Sequence, residues 1–434
     1  MKPYMMSLTE AAKAIDIGEI TAIEYTEKLL ERIAETEPRI HAWVTIEQAK
    51  AREAAIKATE TKQKSILNGI PIGVKDIYST AGTLTTMGSL IYKTHVPTID
   101  AAIVQKIKEK GAVVLGKTET TEFALHDPAP TTNPWNTHHT PGGSSSGSAA
   151  AVATGMCPAA FGSQTGGSVI RPASYCGIVG IKPTYDLFSR EGIFPLAWSL
   201  DHVGYMTRTV EDAHHMLAAL IEQEKPWKVS DEPPRIGVLS GYFKENAKET
   251  VWKGYEKTIT KLWGEGAEMI DVTLPDSFKL VPDVHRVIMA VEVATVHEDQ
   301  IRSRKDDYGD YIRGFIMSGL LVPATAYLRA QRLRGTIIEE MIQLLSQYDC
   351  VVCPSTTDIA PKGLEWTGSP AFNAPWSLTG LPSITIPSGI APNGLPLGLQ
   401  LVGTPLSEWN LLKVAGWCFD KIGFDTRPRD PYTP

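Results

Sequence analysis

Three side chains in this sequence could break a bond without help from histidine. Two are serines set in glycine turns: Ser144 in Gly142-Gly143-Ser144-Ser145-Ser146-Gly147, and Ser168 in Gln164-Thr165-Gly166-Gly167-Ser168. The third is Lys75, alone in the apolar run GIPIGVKDI. A serine that attacks an unactivated amide needs a base for its proton and donors for the oxyanion that forms. Paired glycines before Ser168 let the backbone come close to a substrate and turn its amides inward. A lysine in an apolar strand is desolvated, which lowers its pKa and makes a neutral amine accessible. Three serines beside two glycines, followed by the small-residue segment Ser148–Thr154, also need partners. A buried hydroxyl left unpaired costs roughly 1–3 kcal/mol. Taken residue by residue, two readings stand at each place. The second turn is an anion-binding nest or a tight structural turn, and Lys75 is a base or the partner of Asp76.

The elements that must position these residues follow from periodicity and capping. Ser7 caps a short first helix, and Thr21 with Glu24 forms a capping box that opens an amphipathic helix to about Glu37. A charged, alanine-rich helix is expected over 46–64, a strand over Ile70–Ile77 carrying Lys75, a helix over Ala101–Lys110 and a buried strand over Ala112–Leu115. This β-α-β rhythm argues for an α/β fold with a mixed sheet covered by helices. Residues 224–236 are polar and proline-rich, the best linker in the chain. Beyond them 237–350 reads as a mostly helical excursion that includes Pro323–Tyr348. Ser383–Gly389 and Leu397–Gly403 flank the turn Pro392-Asn393-Gly394 as a hairpin, and a last helix covers about Glu408–Lys421. The whole, 1–434, is expected to form one domain.

Composition narrows the function. The formal charge is −7 from 42 basic and 49 acidic residues, with the basic ones scattered, which argues against nucleic acid and anionic membrane as partners. The opening MKPYMMSLTEAAKAI has no signal-peptide pattern, and no apolar run nears the roughly 18 residues of a spanning helix, so a cytoplasmic protein is expected. Five cysteines, an odd number at low density, do not suggest a disulfide framework. Cys350-Val-Val-Cys353 has redox or zinc spacing but reads as a buried strand after a helix. The adjacent pairs His138-His139 and His214-His215 lack ligand spacing and read as surface or loop histidines. Gly111-Ala-Val-Val-Leu-Gly116-Lys117-Thr118 matches a nucleotide-binding pattern letter for letter. However, its four intervening residues are β-branched and apolar, a strand rather than a phosphate cradle.

The chain resembles the amidase signature family. The resemblance is dense over about 70–184 and thinner elsewhere, and it rests on GIPIGVKD, GAVVLGKTETTEFA, NPWNTHHTPGGSSSGSAAAVA, GSQTGGSVIRPASYCGIVGIKPT and the late FNAPWSLTGLPSITIPSG. It implies an α/β/α fold and hydrolysis of a small amide, ureido or carbamate C–N bond, with no cofactor and no metal. It makes Ser168 the nucleophile, Ser144 the bridging serine in a cis Gly143–Ser144 peptide, and Lys75 the base. The amides of Thr165, Gly166, Gly167 and Ser168 become the oxyanion hole, with Gly143, Ser145 and Ser163 in support.

Two departures from the common pattern bear on substrate. Gln164 stands where most relatives carry aspartate, and the arginine after the nucleophile is third (Arg171) rather than second. That arrangement is similar to malonamidase-type members, where the arginine grips a substrate carboxylate; a structural role bonding local carbonyls is the alternative. Phe123, Trp135, Trp198, Phe372 and Trp376 are aromatic candidates for seating an aryl or alkyl group, or for the core. Two rivals to a free-standing hydrolase remain. One is a glutaminase component of a tRNA-dependent amidotransferase, releasing ammonia from glutamine for a partner protein, against which Gln164 and Arg171 argue; the other is a non-catalytic binder on the same fold. A urethane-cleaving enzyme is a variant of the first reading. The partner expected is a small-molecule substrate, and a homodimer is an expectation of the resemblance alone.

Overall fold

Short apolar runs bounded by glycine and proline become strands, and the amphipathic segments between them become the helices that cover both faces. The computed structural model describes residues 2–61 and 64–428. Among the described residues eleven strands join into one mixed sheet: β1 (Trp43–Ile46), β2 (Pro71–Lys75), β3 (Val113–Thr118), β4 (Ala159–Gln164), β5 (Val179–Lys182), β6 (His202–Thr207), β7 (Arg235–Leu239), β8 (Glu268–Val272), β9 (Cys350–Pro354), β10 (Ser383–Ile390) and β11 (Pro396–Val402). Their order is β1-β3-β2-β4-β6-β5-β10-β11-β9-β7-β8. The chain is a single α/β domain.

Both N-terminal capping boxes form. Ser7 and Glu10 exchange side-chain-to-backbone bonds at the start of Leu8–Asp16, and Thr21 and Glu24 do so for Ala22–Ile40. The second helix passes Pro38 and ends at His41, which adopts a left-handed φ of 53°. The alanine-rich helix spans Gln48–Thr61; residues 62 and 63 of the expected segment lie outside the described residues. The hairpin β10–β11 is antiparallel, with an irregularity between Pro387 and Gly389.

Two expectations change. The excursion over 237–350 is mostly helical but also contributes two strands, β7 at its start and β8 about thirty residues on. These pair in parallel with each other, and β7 pairs in parallel with β9 (Ile236 opposite Cys350), extending the main sheet. The linker therefore leads into a sheet strand rather than a separate unit. His214 is not a surface residue; it is 6% exposed, packed between Trp227 and Trp409, with Nε2 2.8 Å from the Lys225 carbonyl.

The core lies on both faces of the sheet. On one, Ile72, Val74, Phe161, Ile181 and Ile384 pack with Leu217, Leu411 and Leu412 from the helices Val210–Ile221 and Glu408–Ile422. On the other, the helix Ser146–Ala153 brings Ala149, Ala150 and Val152 against Ala160 and Met206. The small side chains let this helix approach closely. A Cβ on Gly147 would come within 2.2 Å of the Ala42 carbonyl oxygen and 2.4 Å of the Glu119 nitrogen. No single helix among the described residues is long and apolar enough to cross a membrane. The bent pair Asp310–Leu320 and Ala324–Leu345 passes only when taken together across a 97° bend.

The sheet register explains how the site is gathered. β2 lies between β3 and β4 and runs parallel to both, with Val74 opposite Phe161. The carboxyl ends of β2 and β4, bearing Lys75 and Ser163, therefore emerge side by side, where ligand sites form in such sheets. β6 runs antiparallel to β4 with Gln164 opposite His202, which sets Asp201 beside Thr165.

Candidate active site

Lys75, the last residue of β2, is fully buried. Its Nζ lies 2.7 Å from Ser144 Oγ and 2.9 Å from Ser163 Oγ. Burial drives its pKa well below the usual lysine value, and the Asp201 charge opposes the shift in part. Burial therefore makes the neutral amine more accessible than it is for an exposed lysine. Asp76, one residue on, points elsewhere. Its Oδ2 accepts from the Thr86 amide at 2.8 Å and the Thr86 hydroxyl at 2.6 Å, and its Oδ1 is 3.7 Å from Lys117 Nζ. A Lys75–Asp76 pair is thus excluded. Lys117 is no phosphate ligand: it sits within β3, fully buried, and donates to the Tyr78 carbonyl and, at 3.0 Å, to Thr85 Oγ1.

The serine cluster is satisfied internally, as its burial requires. Ser145 Oγ accepts from Ser163 N at 3.2 Å and donates to Ser163 O at 3.3 Å, stapling the first turn to β4. The Ser145 amide donates to Ser168 O at 3.4 Å, joining the first turn to the second. Ser146 Oγ donates to Gly142 O and Ser148 Oγ to Phe161 O. The Gly143–Ser144 peptide is cis. Ser168 is 8% exposed and lines a cavity of about 340 Å³. Among the described residues no hydrogen bond joins its Oγ to Ser144, so the chain of contacts runs from Lys75 to Ser144 and stops one hydroxyl short.

The second turn owes its orientation to its carbonyls. Thr165 O lies 3.0 Å from His285 Nε2, and Gly166 O accepts from Ser377 Oγ at 3.0 Å. Because a trans peptide points its N–H opposite its C=O, the amides of Gly166 and Gly167 are turned away from those partners. Among the described residues, the amides of 165–168 donate to no acceptor. The next two, Val169 and Ile170, both donate to Gln164 Oε1 at 3.0 Å. Gln164 Nε2 donates to Ser377 Oγ at 3.2 Å. That accounts for glutamine at this position: an aspartate could accept from the two amides but could not donate to Ser377.

Arg171 is 2% exposed and lines the same cavity as Ser168. Nη2 donates to Gly143 O at 2.6 Å and to Thr367 Oγ1 at 3.2 Å, while Nε and Nη1 are buried without a partner among the described residues. Desolvation lowers its pKa to about 10, which leaves it charged at neutral pH. Beside it, His126 Nδ1 is 3.5 Å from Thr367 Oγ1, and burial and then Arg171 push its pKa to about 4.

The aromatic candidates fall elsewhere. Phe123 (1% exposed) packs among Tyr92, Phe194, His297 and Tyr308. Phe372 and Trp376, both fully buried, pack against Phe243 behind the site. Trp135 donates to Cys176 O at 2.8 Å in a separate cluster. None of these four lines the cavity with Ser168; Tyr242, Tyr311, Phe315 and Trp366 do. Sequence reasoning also missed Asp201. Its carboxylate accepts from Thr165 Oγ1 at 2.5 Å and from the amides of Leu196 and Ala197, and burial raises its pKa to about 6. A lone acid immediately before an apolar strand, in SLDHVGYMT, was the available signal.

Comparison with known proteins shows the family. A family model described as Amidase matches residues 24–412. The chain belongs to the amidase family. It is 34% identical to the glutamyl-tRNA(Gln) amidotransferase A-subunit of Oleidesulfovibrio alaskensis, over 97% of this chain and 98% of that one. The same protein of Roseiflexus castenholzii is 35% identical, over 95% and 94%. Among solved structures, a chain from a vestigial protein complex tied to the origins of an s-triazine catabolic enzyme superposes with a TM-score of 0.89 at 29% identity, covering 98% of this chain and all of that one. The peptide amidase of Stenotrophomonas maltophilia gives 0.83 at 27%, covering 99% of each. This amidase is a hydrolase of C–N bonds.

Proposed function

We propose that this amidase is a free-standing hydrolase of small amides whose acyl half carries a carboxylate. The observation that carries the reading is Arg171: a buried guanidinium with two unpartnered nitrogens, opening on the cavity that holds Ser168. An unpaired buried cation is costly, and a planar anion presented side-on satisfies such a fork. This supports the malonamidase-like arrangement over a structural role for Arg171, although one nitrogen also braces Gly143 O.

In the mechanism, neutral Lys75 takes a proton from Ser144 as Ser144 takes one from Ser168. Ser168 Oγ attacks the carbonyl carbon, and the oxyanion is held by the free amides of 165–168. Collapse breaks the C–N bond, with the relay returning its proton to the leaving nitrogen. Water then enters by the same path to free the acid. Catalytic contacts tighten when substrate binds, which brings Ser168 into reach of Ser144. Ser163 holds the Lys75 amine, and Ser145 ties both turns together. No cofactor enters any step.

The second reading is a glutaminase-type component of a larger amidotransferase, favoured by the naming of the 34–35% identical relatives. A panel of carboxylated amides, neutral amides, carbamates and glutamine, assayed with the isolated chain, separates the two. Turnover of carboxylated amides by the chain alone supports the first. Turnover of glutamine alone, and only with a partner protein added, would overturn it. The same assay in size-fractionated samples reports whether the active species is a homodimer.

A further inference from the structure

The cavity that holds Ser168 has a neighbour. A second cavity of about 470 Å³ is lined by Ser163, Thr165, Asp201, Ile193, Phe194 and Trp198, among others. Ala124, Thr165 and Leu196 line both spaces, so the two meet at these residues. The catalytic groups divide between them. Ser168 and Arg171 border only the first cavity, whereas Ser163, which holds Lys75, borders only the second.

That division has a chemical meaning. The carbonyl carbon must meet Ser168, and the leaving nitrogen must receive its proton from the Lys75–Ser144 end of the relay. A bound amide therefore spans the junction of the two spaces, with its acyl half beside Arg171 and the substituent on nitrogen in the second cavity. Ammonia would leave that space nearly empty, since a single small molecule occupies about 30 Å³. Its lining is also wrong for ammonia: Ile77, Ile193, Phe194, Pro195 and Leu196 present an apolar wall. Trp198 adds an indole that is 42% exposed and makes no ring–ring contact among the described residues. The lining is mixed, since Asp186, Arg190 and Glu191 join Ser163, Thr165 and Asp201, but apolar surface predominates in it, as is usual in a small-molecule site.

We infer that the second cavity is a leaving-group site, and that the preferred substrates are N-substituted amides whose amine half is an aryl or bulky alkyl group resting on Trp198. This rests on the proposed Ser168 reading and extends it to the other half of the substrate. The reaction is R–CO–NH–R′ + H₂O → R–COOH + R′–NH₂, the acid then ionising and an alkyl amine, but not an aryl amine, taking up its proton. The C–N bond breaks as the acyl–Ser168 ester forms, and the nitrogen takes the relay's proton. Water oxygen then replaces Ser168 Oγ on the acyl carbon.

The test holds the acyl half constant. The monoamide of succinate and its N-phenyl counterpart are compared with wild-type protein, Trp198→Ala and Trp198→Phe. The Trp198 carbonyl, which accepts from Tyr185 Oη at 2.9 Å and from Arg190, is backbone and survives both substitutions. The ratio of kcat/KM, N-phenyl over primary, is expected to fall about fivefold or more in Trp198→Ala and to stay within about twofold in Trp198→Phe, since an apolar ring contact is worth roughly 1 kcal/mol. An equal ratio in all three proteins overturns the inference. So does wild-type turnover of the primary amide with none of the N-phenyl one, which would leave the Ser168 reading intact. Failure to hydrolyse either, while uncharged amides are cleaved, would overturn the carboxylate reading and this inference together.

Discussion

Replacing Arg171 with leucine tests the proposal that its guanidinium selects substrates by charge. Arg171 Nε and Nη1 have no partner among the described residues, whereas Nη2 bonds Gly143 O and Thr367 Oγ1. Leucine therefore removes two effects. The first is structural: Gly143 O and Thr367 lose a donor beside the catalytic turn, which slows every substrate. The second is specific: a carboxylated acyl group loses its charge-assisted hydrogen bonds, worth roughly 1.5–3 kcal/mol. At about 1.4 kcal/mol per factor of ten, the specific effect is roughly 10- to 150-fold in kcat/KM. The assay is kcat/KM for a carboxylated amide and an uncharged isostere of the same length, in both proteins. The structural loss cancels in the ratio. The carboxylated-to-neutral preference should collapse by about that factor, mostly through KM. A ratio equal in Arg171→Leu and wild type would refute the carboxylate site and reduce Arg171 to a brace for Gly143.

Two further predictions follow from neighbouring groups. Protonating Lys75 removes the base, so kcat/KM should fall on the acid side, as pH drops through the lysine's lowered pKa. The anionic Asp201 favours the protonated amine, so Asp201→Asn should move that acid limb to lower pH. A pH–rate profile checks this, and a limb that stays put or moves upward would contradict it. Gly147→Ala forces a Cβ to within 2.2 Å of the Ala42 carbonyl oxygen. Such overpacking typically costs about 1–3 kcal/mol. Denaturant unfolding should show a loss of that size, and a variant as stable as the parent would contradict the close approach.

The catalytic cluster was largely legible because its residues are locally anomalous. A lysine inside an apolar run, and hydroxyls packed among glycine and alanine, are expensive arrangements that announce a purpose. Lys75, Ser144 and Ser163 lie together; residue type left the role of Lys75 open, and only the family resemblance pointed to Ser163. The capped helices and the β10–β11 hairpin were readable because their signals are local too. The sheet order was not. It places β10 beside β5, some 200 residues away in sequence, a pairing set by which apolar faces fit. β7 was hidden because RIGVL, coming straight after a proline-rich stretch, looks like the end of a linker until β9 and β8 flank it. Aromatic residues misled for a similar reason. Phe372 and Trp376 share a segment with Ala371, Ala374 and Pro375, which line the cavity, yet their side chains turn away from it into the core. Residue type says that a ring wants burial; only the backbone direction says on which side of the wall.

The most direct test of the central claim is to find the acylated residue. Incubation with a sulfonyl fluoride or an activated ester, followed by intact-mass measurement and peptide mapping, should give one adduct, on Ser168. It should be absent in Ser168→Ala and formed far more slowly in Lys75→Ala, since the members of a relay act as one unit. An adduct on any other side chain, or undiminished labelling and turnover in Lys75→Ala, would contradict a buried amine that acts on Ser168 through Ser144.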